Sequence, residues 1–127
     1  MSVKRNVLIV DDDAACREMV RSILDFSGFR VTTVENAISA LGAIKHENFD
    51  VVITDYSMPG MKGTELTTLL RARYPDMLII GMSGDDSGRA FLAAGTDGFL
   101  PKPLDFNDLI SMVGTVSERD DGDPDIG

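Results

Sequence analysis

Short runs of apolar, largely β-branched residues constrain this chain more than any other feature. Val7-Leu8-Ile9-Val10 is apolar at every position and stops at Asp11. Val51-Val52-Ile53-Thr54 is built the same way and stops at Asp55, and residues 77–82 supply another such run. A strand with one solvated face alternates apolar and polar residues, whereas one apolar throughout is covered on both faces. Residues 29–34 read as a further strand and Phe99-Leu100 as a short last one. Helical periodicity fills each interval, so the order is βα repeated five times. That order implies an α/β fold, a doubly wound, mostly parallel five-stranded sheet with helices on both faces.

The helical stretches have recognisable ends. Asp13 caps the first, over 14–27, with Cys16, Met19, Val20, Ile23 and Phe26 as its apolar positions and Gly28 as its stop. Asn36 caps the second, which runs to about residue 47 with Ile38, Leu41 and Ile44 inward. Ser57-Met58-Pro59-Gly60-Met61-Lys62-Gly63 reads as a loop, after which Thr64 caps a helix over 65–74 with Leu66, Leu69 and Leu70 inward. Residues 87–94 form a weak helix between glycines. Asp105 caps the last helix, whose apolar face is Phe106, Leu109, Ile110 and Val113, with Asp108 at the capping-box position. The folded domain is expected over 1–116, followed by an acidic, disordered tail over 117–127.

Composition narrows the classes of function. A chain of 127 residues with 43% hydrophobic content is long enough for one domain with a real core. Net charge is −9, which argues against direct nucleic-acid binding by bulk electrostatics. His46 is the single histidine, so no multi-histidine metal site can form within one chain. The one cysteine, Cys16, excludes an intramolecular disulfide. With no signal-type segment or apolar span, this points to the cytoplasm and away from the membrane.

The chemistry lies where the strands stop. Parallel α/β sheets bind ligands outside the carboxyl ends of their strands. Those ends carry Asp11 and Asp12, Asp55, Ser83 and Lys102. Carboxylates brought together there repel one another, and a hard cation with oxygen ligands relieves the repulsion, which suits Mg²⁺ better than zinc. Asp55 is then placed to attack phosphorus through a carboxylate oxygen, with Lys102 neutralising the transferring group and Ser83 donating a hydrogen bond to it. Taken singly, each residue has an ordinary structural role: a cap, a turn or a surface charge. Such residues at four separate strand ends, in this order, are a different matter. Asp13 is assigned only as a helix cap.

These pieces resemble the two-component response-regulator receiver domain of the CheY-like kind. The resemblance is carried by Leu8-Ile9-Val10-Asp11-Asp12-Asp13, by Val52-Ile53-Thr54-Asp55 and the loop to Gly63, by Ser83, and by Gly98-Phe99-Leu100-Pro101-Lys102-Pro103. It covers about residues 4–116. It implies the flavodoxin/CheY-like sheet order 2-1-3-4-5 and a phosphoryl group accepted on Asp55 from a partner histidine. It further implies Mg²⁺ held by Asp11, Asp12, Asp55 and the Ser57 carbonyl, and Lys102 paired with phosphoryl oxygens. Ser83 and Phe99 are the implied switch residues, and the Lys102–Pro103 peptide is expected to be cis.

Implied partners are a histidine kinase or histidine phosphotransfer protein and a downstream protein target. The chain itself would be a monomer or a weak, phosphorylation-dependent dimer, and no turnover enzyme. Three features depart from the commonest pattern. Phe99 stands where tyrosine is frequent, the 83–95 stretch is about one helical turn short, and Pro101 sits within the last strand, which is tolerable at a sheet edge. The competing functions are a phosphorylation-independent scaffold and a phosphatase of the haloacid dehalogenase type. The latter needs a second acid two residues after its nucleophile, where this chain has Ser57.

Overall fold

The structure is a computed structural model and describes residues 5–121. Five strands alternate with five helices in chain order: β1 Asn6–Val10, α1 Ala14–Phe26, β2 Arg30–Val34, α2 Ala37–His46 and β3 Val51–Asp55, then α3 Gly63–Arg73, β4 Leu78–Ser83, α4 Gly88–Ala94, β5 Gly98–Pro101 and α5 Phe106–Asp121. The strands form one parallel sheet in the order β2-β1-β3-β4-β5. The chain therefore winds outward in both directions from β1, and the strand order reverses between β1 and β3. Pro101 lies on the edge strand, where its missing N–H costs no ladder bond.

Alternation along the strands divides the core into two layers. Val7, Ile9, Val51, Ile53, Ile80 and Met82 pack with Val20 and Leu24 of α1 and Leu109 and Val113 of α5. Leu8, Val10, Val52 and Ile79 face the other way, against Ala37, Ala40 and Ile44 of α2 and Leu66 and Leu70 of α3. Every residue of β1 after Asn6, and all of β3 and β4, is buried, as all-apolar runs in a two-faced sheet require.

Several helix faces are rotated from the expected stripes. Ile38 is 72% exposed and Leu69 43%; Ala37 and Ala40 join the expected Ile44, and Thr67 joins the expected Leu66 and Leu70, among the buried residues. Two adjacent stripes of helical period were available in each case, and alanine brings the α2 backbone close to the sheet. Thr67 is accommodated because its hydroxyl donates to the Gly63 carbonyl at 2.8 Å. Met19, beside the buried stripe of Val20 and Leu24, Phe26, the last residue of α1, and Phe106, the first of α5, also lie on the surface, Phe26 at 94% exposure.

Caps fall where side chains can reach free N–H groups. Asp13 accepts from Ala15 and Cys16, Asn36 from Ser39, and Asp105 from Asp108. Helix α3 starts earlier than expected: Lys62, not Thr64, is its N-cap, and the Lys62 N–H donates to Glu65 Oε1 at 2.8 Å. The α5 backbone continues to Asp121, five residues into the segment assigned to a tail; residues 122–127 lie outside those described. No helix among the described residues is long and apolar enough to cross a membrane.

Candidate functional site

Asp55 closes β3 and Asp11 follows β1 on the neighbouring strand, so the sheet itself brings the two carboxylates together. One carboxylate oxygen from each of Asp11, Asp12 and Asp55 lies within 4.8 Å of the others. Asp11 is fully buried and Asp55 nearly so, while Asp12 faces solvent. Lys102, arriving from the end of β5, places Nζ 2.7 Å from Asp55 Oδ1 and 3.4 Å from Asp11 Oδ2. Its backbone N–H donates to the Ser83 carbonyl at 2.8 Å, which ties it to the end of β4. The Lys102–Pro103 peptide is cis. An open cleft of about 380 Å³, lined by Asp12, Ser57, Met58, Pro59 and Lys62, adjoins the carboxylates. A cleft of about 430 Å³ lies away from these strand ends, around Phe49, Asp50 and Arg73–Met77, and has none of this convergent chemistry.

The charges are unbalanced. Burial pushes Asp55 above the ordinary carboxylate range and outweighs the Lys102 hydrogen bond, and the charges of Asp11 and Asp12 push it further up. Burial works against the Lys102 ammonium, yet Asp55 and Asp11 overcome it and raise its pKa. An isolated ion pair would lower the acid as it raised the base. Asp55 moves the wrong way first because it is buried, and then because Asp11 and Asp12 share the one Lys102 cation with it. Oxygen donors in excess of positive charge, opening on an aqueous cleft, fit a hard divalent cation of the Mg²⁺ type.

Close backbone approach frames the site. A Cβ at Gly63 would lie 2.1 Å from the Asp55 carbonyl oxygen, so only glycine lets the start of α3 reach the end of β3. A Cβ at Gly81 would lie 2.4–2.7 Å from the Phe91 ring, which is fully buried. That ring meets Tyr56 edge-on at 5.8 Å and Phe99 at 6.0 Å. Phe99 itself covers Gly88, where a Cβ would be 2.9 Å from its ring. The Ser83 hydroxyl donates to Asp85 Oδ1 at 2.5 Å. Asp85 is held below the usual carboxylate range by the hydroxyls of Ser83 and then Ser87.

A sequence model of the response regulator receiver domain matches residues 7–114. The chain belongs to the response regulator receiver family. This receiver is 34% identical over 122 residues to the response regulator MprA of Mycobacterium tuberculosis, covering 94% of this chain and 52% of that one. It spans about half the length, or less, of the curated relatives it matches. Among solved structures it is similar to the chemotaxis response regulator CheY4 of Vibrio cholerae, at 30% identity and a TM-score of 0.82, covering 90% of this chain and 99% of that one. A CheY-like receiver protein of Methanospirillum hungatei gives 32% identity and a TM-score of 0.86, covering 93% and 98%.

The structure thus brings together Asp11, Asp12, Asp55 and Lys102 around the opening of the receiver's cleft. Ser83 stands one residue beyond Met82, the register partner of Asp55. Ser57 lines the adjoining cleft, and Phe99 lies against Phe91 and Gly88. Sequence reasoning passed over Gly63, Gly81, Phe91 and Ser87. An isolated glycine inside the apolar run 77–82 signals close approach of another group, and that signal was available for Gly81.

Proposed function

We propose that this receiver accepts a phosphoryl group on Asp55 from a histidine of a kinase or phosphotransfer protein. The observation that carries the reading is the convergence of three carboxylates with the Lys102 ammonium, 2.7 Å from Asp55. An Asp55 carboxylate oxygen attacks phosphorus in line, the P–N bond to the donor imidazole breaks, and the electron pair leaves with that nitrogen. Asp11, Asp12, Asp55 and the Ser57 carbonyl would hold Mg²⁺. When bound, the ion neutralises charge on the transferring oxygens. Lys102 would do the same with its ammonium beside Asp55, its backbone being tied to the Ser83 carbonyl.

Ser83 and Phe99 are the switch residues that convert the acyl phosphate into a changed partner-binding surface. Ser57 supplies no general acid, which favours a phosphorylation-controlled binding module over a turnover phosphatase. Its setting would be the cytoplasm, with a protein target and no direct contact with nucleic acid or membrane. Incubation with acetyl phosphate and Mg²⁺ should add one phosphoryl mass to the intact protein and none to Asp55→Asn. No adduct from small-molecule or kinase donors, or an adduct retained in Asp55→Asn, would refute the reading.

A further inference from the structure

A serine hydroxyl has one proton to donate. At Ser83 that proton goes to Asp85 Oδ1, at 2.5 Å, and the Asp85 N–H donates back to Ser83 Oγ at 3.1 Å. The same Asp85 oxygen also takes the Ser87 hydroxyl and, at 3.0 Å, the Ser87 N–H. Ser83 and Ser87 are buried while Asp85 is exposed. An external carboxylate thus reaches in and ties two buried hydroxyls across the β4–α4 loop. A hydrogen bond to an ionised acceptor is stronger than one to a neutral group. Ser83 therefore cannot serve a second anion at the neighbouring strand end without first giving up this bond.

We propose that Asp85 is a positioning residue that holds Ser83 in its resting arrangement by competing with the phosphoryl oxygens on Asp55 for the Ser83 proton. This rests on the phosphoacceptor reading of Asp55 and adds to it a restraint on the switch. The restraint is releasable. When Ser83 turns to the phosphoryl group, Asp85 keeps both donors of Ser87, so its carboxylate is not abandoned. The cost of switching is then the charged hydroxyl bond and the longer return bond from the Asp85 N–H rather than an orphaned charge. Ser87 is the N-cap residue of α4, so release of Ser83 loosens the segment that leads into that helix.

Beryllofluoride with Mg²⁺, titrated by fluorine NMR, reads the equilibrium directly, because it mimics the phosphoryl group without turnover. Asp85→Ala should bind it roughly two- to tenfold more tightly than wild type, the equivalent of one ordinary hydrogen bond. Asp85→Asn, which keeps a neutral acceptor, should fall between. Ser87→Ala leaves the charge in place and removes a competing donor, so Asp85 should grip Ser83 harder and binding should weaken. In a Ser83→Ala background, Asp85→Ala should produce no gain.

A gain of equal size in that background would mean simple charge repulsion and would overturn the restraint. Unchanged binding in Asp85→Ala and Ser87→Ala would overturn it too, while leaving the phosphoacceptor reading standing. Absence of beryllofluoride binding by wild type itself would overturn both. Should Asp85→Ala fail to fold by circular dichroism, the opposed shifts in Asp85→Asn and Ser87→Ala still decide the matter.

Discussion

Phe91 and Gly81 form a lock whose energy can be worked from the geometry. The Phe91 ring is fully buried and rests so close to the β4 backbone that a Cβ at Gly81 would lie 2.4, 2.5 and 2.7 Å from three ring atoms. On its other side a Cβ at Gly63 would approach Phe91 Cζ to 3.0 Å. The ring is thus wedged between β4 and the start of α3, with no direction in which to retreat cheaply. Gly81→Ala should cost about 1–3 kcal/mol through overpacking. Phe91→Ala should cost about 3–5 kcal/mol through lost burial and the cavity left behind. At roughly 4 °C per kcal/mol for a domain of this size, that lowers the melting temperature by roughly 12–20 °C. Combining Gly81→Ala with Phe91→Leu should cost about 1 kcal/mol less than the sum of the single changes, because the smaller side chain makes room for the new methyl. Urea unfolding of the four proteins measures the cycle. A neutral Gly81→Ala, or strict additivity in the double variant, would refute the wedge.

Two further outcomes follow from the charges at the site. Asp55 has a folded pKa above its unfolded one, so its contribution to stability is present below the ordinary carboxyl range and lost as pH rises through the folded value. Without Mg²⁺, Asp55→Asn should therefore be the more stable protein at pH 7, by thermal unfolding, with the difference shrinking toward pH 4; a variant no more stable at pH 7 contradicts this. Burial, then the hydrogen bond to Asp11 and its charge, push the Cys16 thiol up to about 12. Iodoacetamide should modify the native protein far more slowly than free cysteine at pH 8, and at the ordinary rate in urea; rapid native labelling would contradict the burial argument.

The sheet was legible because an apolar run of four or five residues ending in aspartate has few places to go except a two-faced parallel strand. The same runs, by their ends, made Asp11, Asp12, Asp55 and Lys102 legible as candidates. Helix rotation was less so. Ile38 and Ala37 lie on adjacent stripes, and hydrophobicity alone favours the isoleucine, although the sheet accepts the smaller side chain. Long-range polar ties left no local trace. Arg71 donates to the Gly95 and Met77 carbonyls at 2.9 and 2.8 Å and to Asp97 at 2.7 Å, and Asp97 in turn accepts from Ile79 N–H at 2.9 Å. Nothing in the spacing of residues 71 and 97 announces that connection.

These ties bear on how a signal can leave the site. Helix α4 is only seven residues long, too short to hold itself together by its own hydrogen bonds. Its middle is fixed by Phe91 in the notch at Gly81, and its carboxyl end by Arg71, which grips the Gly95 carbonyl and joins it to α3 and β4 through Met77 and Asp97. Among the described residues, its amino end is held by the hydroxyl ties of Ser83 and Ser87 to Asp85 and by the Phe99 ring over Gly88. Displacing the whole helix would mean withdrawing a buried phenyl ring and breaking a multiply bonded guanidinium, whereas rearranging residues 84–88 exchanges a few hydrogen bonds near solvent. The cheaper motion is the local one. Phe99, which covers Gly88 and lies against Phe91, has the loop on one side and the fixed wedge on the other. Under the proposed function, a change at Ser83 would therefore reach the surface around Gly88 and Phe99 while the body of α4 stays in place.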